Sequence, residues 1–516
     1  MSVHKKLLKQ NSKSTLMAAF LFIILGWILS GFVFSCGASV EEKQQTYQDI
    51  IGYWKEYIVH NDSKEETALR KIVINSNGKL EQSIVYELAT QCRVWLNDNE
   101  ISFENGHLEF WGGEFKGEMS EDKNSILLTY KQMDNPFLLE RIQDEKTIQL
   151  LDSLESCIGR EYVYEIPVKL DDGWECENLE NVGINKEKIF EVIDQITNGK
   201  HKDIHSLLIV KDGKLVLEEY FAAEGKIVGA FVNQVLRDRV QMLASVTKSV
   251  NSALFGIAQE QGFIKDLDAP AFALFPEYSD IIKDGKEQIR LKHLLTMSAG
   301  FHWNELVIPY SNPQNDAMVM HQRKDLIRYC LEKPMAQKPG EKFVYHTGLS
   351  VILGEILRRS VGISGDKFAE KYLFKPLGIS AYIWPTTPDS LLATGGGLAL
   401  RPRDMAKFGQ LYLNDGKWNE KQIVPEKWVK ESTQHHIKTT SGAYGYQWWL
   451  RSFHINDRQV DSFYASGRAG QFIFVFPELD MVVVSTAQNY DKSWSRRFYE
   501  MLGSYILTAV VFSTHE

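Results

Sequence analysis

The feature that most constrains the fold is where strand-like runs fall. After about residue 166 they lie at the two ends of the chain, with a long helical stretch between them. "HSLLIVKDGKLVLEEYF" reads as two apolar strands turning at Asp212-Gly213. Far downstream, "SFYAS", "QFIFVF" and "MVVVSTA" read as strands again, with a last helix from about Trp494 to Val511. From Ser245 to about residue 450 the sequence is predominantly helical. Terminal strands enclosing a helical middle imply one antiparallel sheet assembled from distant segments, with an inserted helical subdomain. The expected class is α/β (α+β): an antiparallel sheet flanked by helices.

A different pattern precedes this region. "KIVINSNGKLEQSIVYEL" and "ISFENGHLEFWGGEF" place Asn77-Gly78 and Asn105-Gly106 between apolar alternations, a strong hairpin signal. Residues 45–155 are therefore expected to form a small all-β barrel-like domain. Its opening "IIGYWKEYI", with Trp54, weakly resembles a lipocalin-like module. The linker "YEIPVKLDDGWECENLENVGI" leads into the second domain, residues 166–516.

Residues 1–40 contain no Asp or Glu; Lys5, Lys6, Lys9 and Lys13 precede an uncharged run from Leu16 to Ser35, long enough to span a bilayer. A basic segment followed by an apolar one predicts an export signal or an anchor. "FVFSCGAS" resembles a lipoprotein cleavage site with Cys36 as the lipidated residue, Phe34 being an imperfect fit. The alternative is an uncleaved transmembrane anchor. Both place the body in the cell envelope, on the periplasmic or extracellular side, with the membrane as a partner through this segment.

Composition narrows the classes of function. A net charge of −9 and the lack of a basic stripe argue against a nucleic-acid partner. Cys92, Cys157, Cys176 and Cys330 leave disulfide pairing open, Cys157 and Cys176 being nearest in sequence. No C-x-x-C or metal-ligand spacing is present, and His435-His436 lies in the polar stretch "STQHHIKTT". No metal and no cofactor are expected. Gly395-Gly396-Gly397 lacks the Lys-Ser/Thr ending of a phosphate loop.

Ser-x-x-Lys occurs five times, at Ser2, Ser76, Ser120, Ser245 and Ser364. Ser2 belongs to the export segment, Ser76 to a hairpin turn, Ser120 to the polar "SEDKN", and Ser364 reads as a helix cap. Ser245 differs because it heads "VTKSVNSALFGIAQEQG", where Val246, Val250, Ala253, Leu254, Ile257 and Ala258 recur at helical spacing. At a helix amino terminus, free N–H groups favour a developing negative charge. Lys248 falls one turn along on the same face, and a desolvated lysine becomes available as a base. A serine hydroxyl needs such a neighbour to act as a nucleophile. The plainer alternative is an N-capping serine beside a lysine that reaches outward.

A third group comes from "QKPGEKFVYHTGLSVILGEIL", where Tyr345 precedes another apolar helix and could relay a proton. His346 is the competing base, although adjacent side chains there should diverge. In "YASGRAGQ", a strand ending at Ser466-Gly467 lets backbone approach a ligand, and the Arg468 N–H could join that of Ser245 in an oxyanion hole.

From about residue 170 to 490 the chain resembles the serine β-lactamase-related family: class C β-lactamases, D-alanyl-peptidases, esterases and 6-aminohexanoate-dimer hydrolases. The resemblance rests on "SVTKSV", "LKHLLTMSAGFHWNE", "KPGEKFVYHTG", "TGGGLALRPRDMAKFGQLYLNDG", "YGYQWW" and "ASGRAGQ" in this order. It implies a β-lactamase/transpeptidase-like fold, with Ser245 as acylated nucleophile, Lys248 as base and Tyr345 as proton shuttle. It also implies that the Gly395–Gly397 backbone lies close to the site. Two departures bear on substrate. Thr347 replaces an amide that often contacts substrate, and Ala465 stands where many relatives carry Lys or His. The missing cation weakens a β-lactam reading, although Arg468 could place a charge nearby, and favours a small-molecule ester, small amide or peptide-like substrate. Trp303, Trp448 and Trp449 either line the acyl pocket or belong to the core. Besides a hydrolase, the same residues fit a slowly deacylating receptor for β-lactams or cell-wall fragments, or a pseudoenzyme whose β module binds a ligand.

Overall fold

The computed structural model describes residues 52–59, 64–74, 80–87, 101–104, 107–110, 115–130, 137–143 and 145, and then 162–201, 203–221, 236–387, 389–455, 457–490 and 494–511. The export segment with Cys36, and Cys92 and Cys157, lie outside the described residues. Among the described cysteines, Cys176 and Cys330 are free thiols. The chain forms two compact units, Met1–Ser156 and Cys157–Glu516.

The first unit is one antiparallel sheet of eight strands: β1 (Gly52–Val59), β2 (Lys64–Ile74), β3 (Leu80–Glu87), β4 (Ile101–Glu104), β5 (His107–Phe110), β6 (Phe115–Met119), β7 (Ser125–Tyr130) and β8 (Phe137–Arg141). Their order is β3-β2-β1-β8-β7-β6-β5-β4. Ile74 pairs with Leu80 and Glu104 with His107, the strand pairings that the two Asn-Gly signals predict, while the dipeptides themselves lie outside the described residues. The order is that of an up-and-down meander whose ends meet through β1 and β8. Among the described residues β3 and β4 are not paired, so the sheet has two edges and is all-β without being a closed barrel. Trp54 is buried, with the Arg141 guanidinium 4.3 Å from its ring centroid.

In the second unit the sheet joins β9 (Glu175–Cys176), β10 (Ile204–Lys211), β11 (Lys214–Tyr220), β12 (Ile437–Thr439), β13 (Gly442–Tyr444), β14 (Trp449–Ile455), β15 (Arg458–Gly467), β16 (Gln471–Phe476) and β17 (Met481–Ala487). Their order is β12-β13-β14-β15-β16-β17-β10-β11-β9, so β10 pairs with β17 from the far end of the chain. All pairs are antiparallel except β9 with β11. Helices cover both faces of the sheet's middle, which is why β10, β16 and β17 are buried along nearly their whole length rather than alternating. Phe472, Phe474 and Phe476 face one core, while Ile473 and Val475 face the other. The first core also takes α1 (Lys186–Thr197) and the carboxy-terminal helical segment. The second takes α2 (Val246–Glu260), α3 (Leu291–Leu295), α4 (Thr347–Val361) and α5 (Pro402–Leu413).

Helix α2 differs from its sequence pattern. The apolar spacing predicts one buried stripe, whereas every residue from Val246 to Ala258 is buried, including Thr247, Lys248, Ser249, Asn251 and Ser252. The helix runs through the centre of the helical subdomain, so its polar side meets other protein elements instead of water.

Candidate active site

Ser245 sits at the N-cap position of α2 but makes no side-chain cap hydrogen bond. Its hydroxyl is engaged otherwise. Lys248 Nζ donates to Ser245 Oγ at 2.9 Å and also to the carbonyl of Gly395. Tyr345 lies close enough to Ser245 for that hydroxyl to act on its titration, and the Lys248 Nζ lies 5.1 Å from the Tyr345 ring centroid. Ser245 is half-buried, whereas Lys248 and Tyr345 are 2% and 7% exposed. One hydroxyl reachable from solvent thus lies beside two groups that are not.

Burial governs the titration of this trio. Desolvation pushes the Lys248 ammonium down to about 8, with the Glu305 charge opposing it. Burial pushes the Tyr345 phenol up, the Glu305 charge adds to that, and the Ser245 hydroxyl works against it. Lys248 is therefore partly neutral near neutral pH and able to accept a proton, while Tyr345 keeps its own. The residue before the nucleophile position, Ala244, has φ 46, in the left-handed region that costs a non-glycine residue energy.

The other sequence-singled residues are placed as follows. Gly467 ends β15 against the segment leading to Ser245: a Cβ there would lie 2.2 Å from the Leu243 carbonyl oxygen, which requires glycine. Ser466 lies near Tyr499, which packs against the opposite core. Arg468 holds its guanidinium 4.6 Å from the Tyr310 ring and 5.0 Å from the Tyr490 ring. Ala465 is fully buried, facing the α2 side. Thr347 starts α4, and both its N–H and its hydroxyl donate to Glu305. Trp303 is buried, donates to Glu305 at 2.8 Å and stacks on His346 with ring centroids 3.6 Å apart. His346 diverges from Tyr345 as adjacent side chains should: burial pushes its imidazole well below the ordinary range, and neither ring nitrogen has a hydrogen-bond partner among the described residues. The Trp448-Trp449 pair separates, Trp448 lying in the core against Phe408 and Trp449 stacking on Tyr345.

The other Ser-x-x-Lys sites that fall in described residues show no such arrangement. Ser120 bonds to Asp122 in a turn beside exposed Lys123, and Ser364 stands at a helix N-cap without a side-chain cap bond. Among the described residues no cluster of His, Cys, Asp and Glu could hold a metal.

Two residues not singled out from sequence organise the site. Glu305 is 1% exposed and accepts from Trp303, Tyr310 and Thr347. Gln447, at φ 64, joins three helices: its carbonyl accepts from Ser249, its side-chain oxygen from Ser350, and its amide donates to Leu295.

A nucleophile-type hydroxyl held by a buried lysine beside a buried tyrosine, at the head of a central helix and next to the end of β15, is an arrangement for acyl transfer. The model of the Beta-lactamase family matches residues 202–502. The chain belongs to the β-lactamase family. Membership places it among serine hydrolases of the β-lactamase type. It is 24% identical over 312 residues to a Salmonella enteritidis protein described as a D-alanyl-D-alanine carboxypeptidase, covering 50% of this chain and 71% of that one. It is 28% identical over 151 residues to the ML-236A carboxylate methylbutanoyltransferase of Penicillium citrinum, covering 27% of this chain and 36% of that protein's length. The solved structure of a 6-aminohexanoate-dimer hydrolase from Bacillus anthracis superimposes with a TM-score of 0.51 at 21% identity, covering 67% of this chain and 87% of that one. The β-lactamase/transpeptidase-like fold that the family resemblance implies is the fold observed.

Proposed function

We propose that this β-lactamase-family chain is an exported, membrane-tethered serine hydrolase that cleaves an ester or small amide through an acyl-enzyme on Ser245. The observation that carries the reading is the hydroxyl of Ser245 bonded by a buried Lys248, with the buried Tyr345 beside both. Neutral Lys248 accepts the Oγ proton as Oγ attacks the substrate carbonyl carbon. The proton passes by way of Tyr345 to the leaving alcohol or amine as the carbon–leaving-group bond breaks. Water then attacks the ester at Ser245 and frees the carboxylic acid, restoring the hydroxyl. Backbone N–H groups at Ser245 and Arg468 are the donors for the developing oxyanion. The buried Ala465, in place of a cation, supports esters and small amides over β-lactams. The basic and apolar residues 1–40 support envelope attachment, through a lipidated Cys36 or through an uncleaved span.

Detergent-solubilised full-length protein offered short-chain p-nitrophenyl esters, 6-aminohexanoate dimer and a chromogenic cephalosporin tests this. Turnover of an ester or the dimer, lost in Ser245→Ala, is the expected outcome. A stoichiometric acyl adduct without turnover would reassign the chain as a receptor. A folded protein giving neither would overturn the reading.

A further inference from the structure

The carboxylate of Glu305 belongs to no step of the reaction proposed above, yet it is among the most heavily bonded groups near the trio. Its side chain accepts from the Trp303 indole at 2.8 Å, the Tyr310 hydroxyl at 2.7 Å, the Thr347 N–H at 2.7 Å and the Thr347 hydroxyl. Its backbone is fixed as well: fully buried Asn315 donates to the Glu305 carbonyl at 2.9 Å and to that of Ile308. The same Asn315 accepts from Ala317 and Met318 as the N-cap of helix Asp316–His321. The loop between carries Leu306 and Val307 exposed at 61% and 83%, with Tyr310 beneath Arg468. From Glu305 a short path leads to the trio. Thr347 packs against Gly395, and the Gly395 carbonyl accepts from Lys248.

We propose that Glu305 is a positioning residue, which locks the 302–315 loop to the start of α4 and keeps a fixed negative charge beside Ser245, Lys248 and Tyr345. The proposal rests on the hydrolase reading. Groups reached by this charge come from several elements: Lys248 on α2, Tyr310 in the loop itself, His321 and Cys330 on the two following helices, Tyr345 before α4, and Tyr444 on β13. For Lys248 the charge favours the ammonium form and so opposes burial. Removing it makes Lys248 a weaker base that is neutral at lower pH.

The test is the rate of fluorophosphonate labelling of the full-length protein against pH, in wild type and Glu305→Gln, with thermal unfolding as the control for folding. Loss of the charge is expected to move the midpoint of the rising acid limb down by about half a unit to one unit, and to slow the plateau. A purely structural role would lower the plateau and leave the midpoint in place, and that result would overturn the proposal. If Glu305→Gln is not recovered folded, the double variant Tyr310→Phe/Thr347→Val decides. It strips one carboxylate oxygen of both hydroxyl donors, so the carboxylate is no longer held in place between the loop and the start of α4. The same downward shift is expected there, and an unmoved midpoint would overturn the proposal. Wild type that does not label at any pH would instead remove the hydrolase reading itself.

Discussion

The two faces of the β9–β17 sheet are built from alternate residues of the same strands and serve different ends. On one face Phe472, Phe474 and Phe476 stack with Phe498, Tyr464 and Tyr499 in an aromatic and aliphatic core. On the other, the core is interrupted by buried charge and amide: Lys248, Glu305 and Gln447 are each 2% exposed or less. The first face gains stability from apolar area and ring contacts. The second gives up part of that gain, because a buried ammonium with a lowered pKa and a left-handed Ala244 both disfavour the fold. On the proposed reading one face stabilises and the other reacts, and substitutions can separate the two.

The largest expected effect is on the reactive face. Ser245→Ala should remove turnover to background, a loss of about 10⁴-fold or more, with the thermal midpoint unchanged, as measured by steady-state hydrolysis and calorimetry. Lys248→Met should lower kcat/KM by about 10²–10⁴-fold yet raise stability. In wild type, activity should rise with pH through about 8, because the lysine must be neutral to accept a proton. The stability gain has its own pH signature. Lys248 titrates at about 8 folded and 10.5 unfolded, so between these values the unfolded chain binds the extra proton and wild-type stability climbs with pH. The advantage of Lys248→Met should therefore be full below pH 8 and shrink toward pH 10.5, read from unfolding at pH 7 and pH 10.

Tyr345→Phe keeps the ring that stacks on Trp449 and should reduce kcat/KM by about 10²–10³-fold with little change in unfolding temperature. Phe474→Ala, on the apolar face, inverts the pattern. It should cost about 3–5 kcal/mol in denaturant unfolding, while the folded fraction keeps kcat/KM within about twofold. An apolar-face variant that loses activity without losing stability would break the division of labour.

Much of this was legible in the sequence for definite reasons. The paired ends of the sheet show as apolar runs at 207–210, 472–476 and 481–484, since both faces are covered. Ser245 stands out from the other four Ser-x-x-Lys serines by the apolar helix it heads. The hubs were not legible by periodicity, because their contacts join segments far apart in the chain: Glu305 with Thr347, Gln447 with Ser249 and Ser350. Glu305 did leave a trace, as the lone acid in the stretch from Leu294 to Asn315. A solitary charge among apolar residues is a sign of a buried, partnered ion. Gln447 left none, since its role comes from a left-handed backbone that only the fold reveals. Strand alternation could have placed Ser466 on the face opposite Ala465, and the structure does so through Tyr499.

The central claim is that Ser245 is a nucleophile activated by Lys248. Intact-mass and peptide-mapping mass spectrometry after fluorophosphonate treatment at pH 8 tests it most directly, on wild type, Ser245→Ala and Lys248→Met. The account predicts one adduct on the peptide containing Ser245, absent from Ser245→Ala and strongly slowed in Lys248→Met. An adduct on another residue, or a folded wild-type protein that takes up no probe, would contradict it.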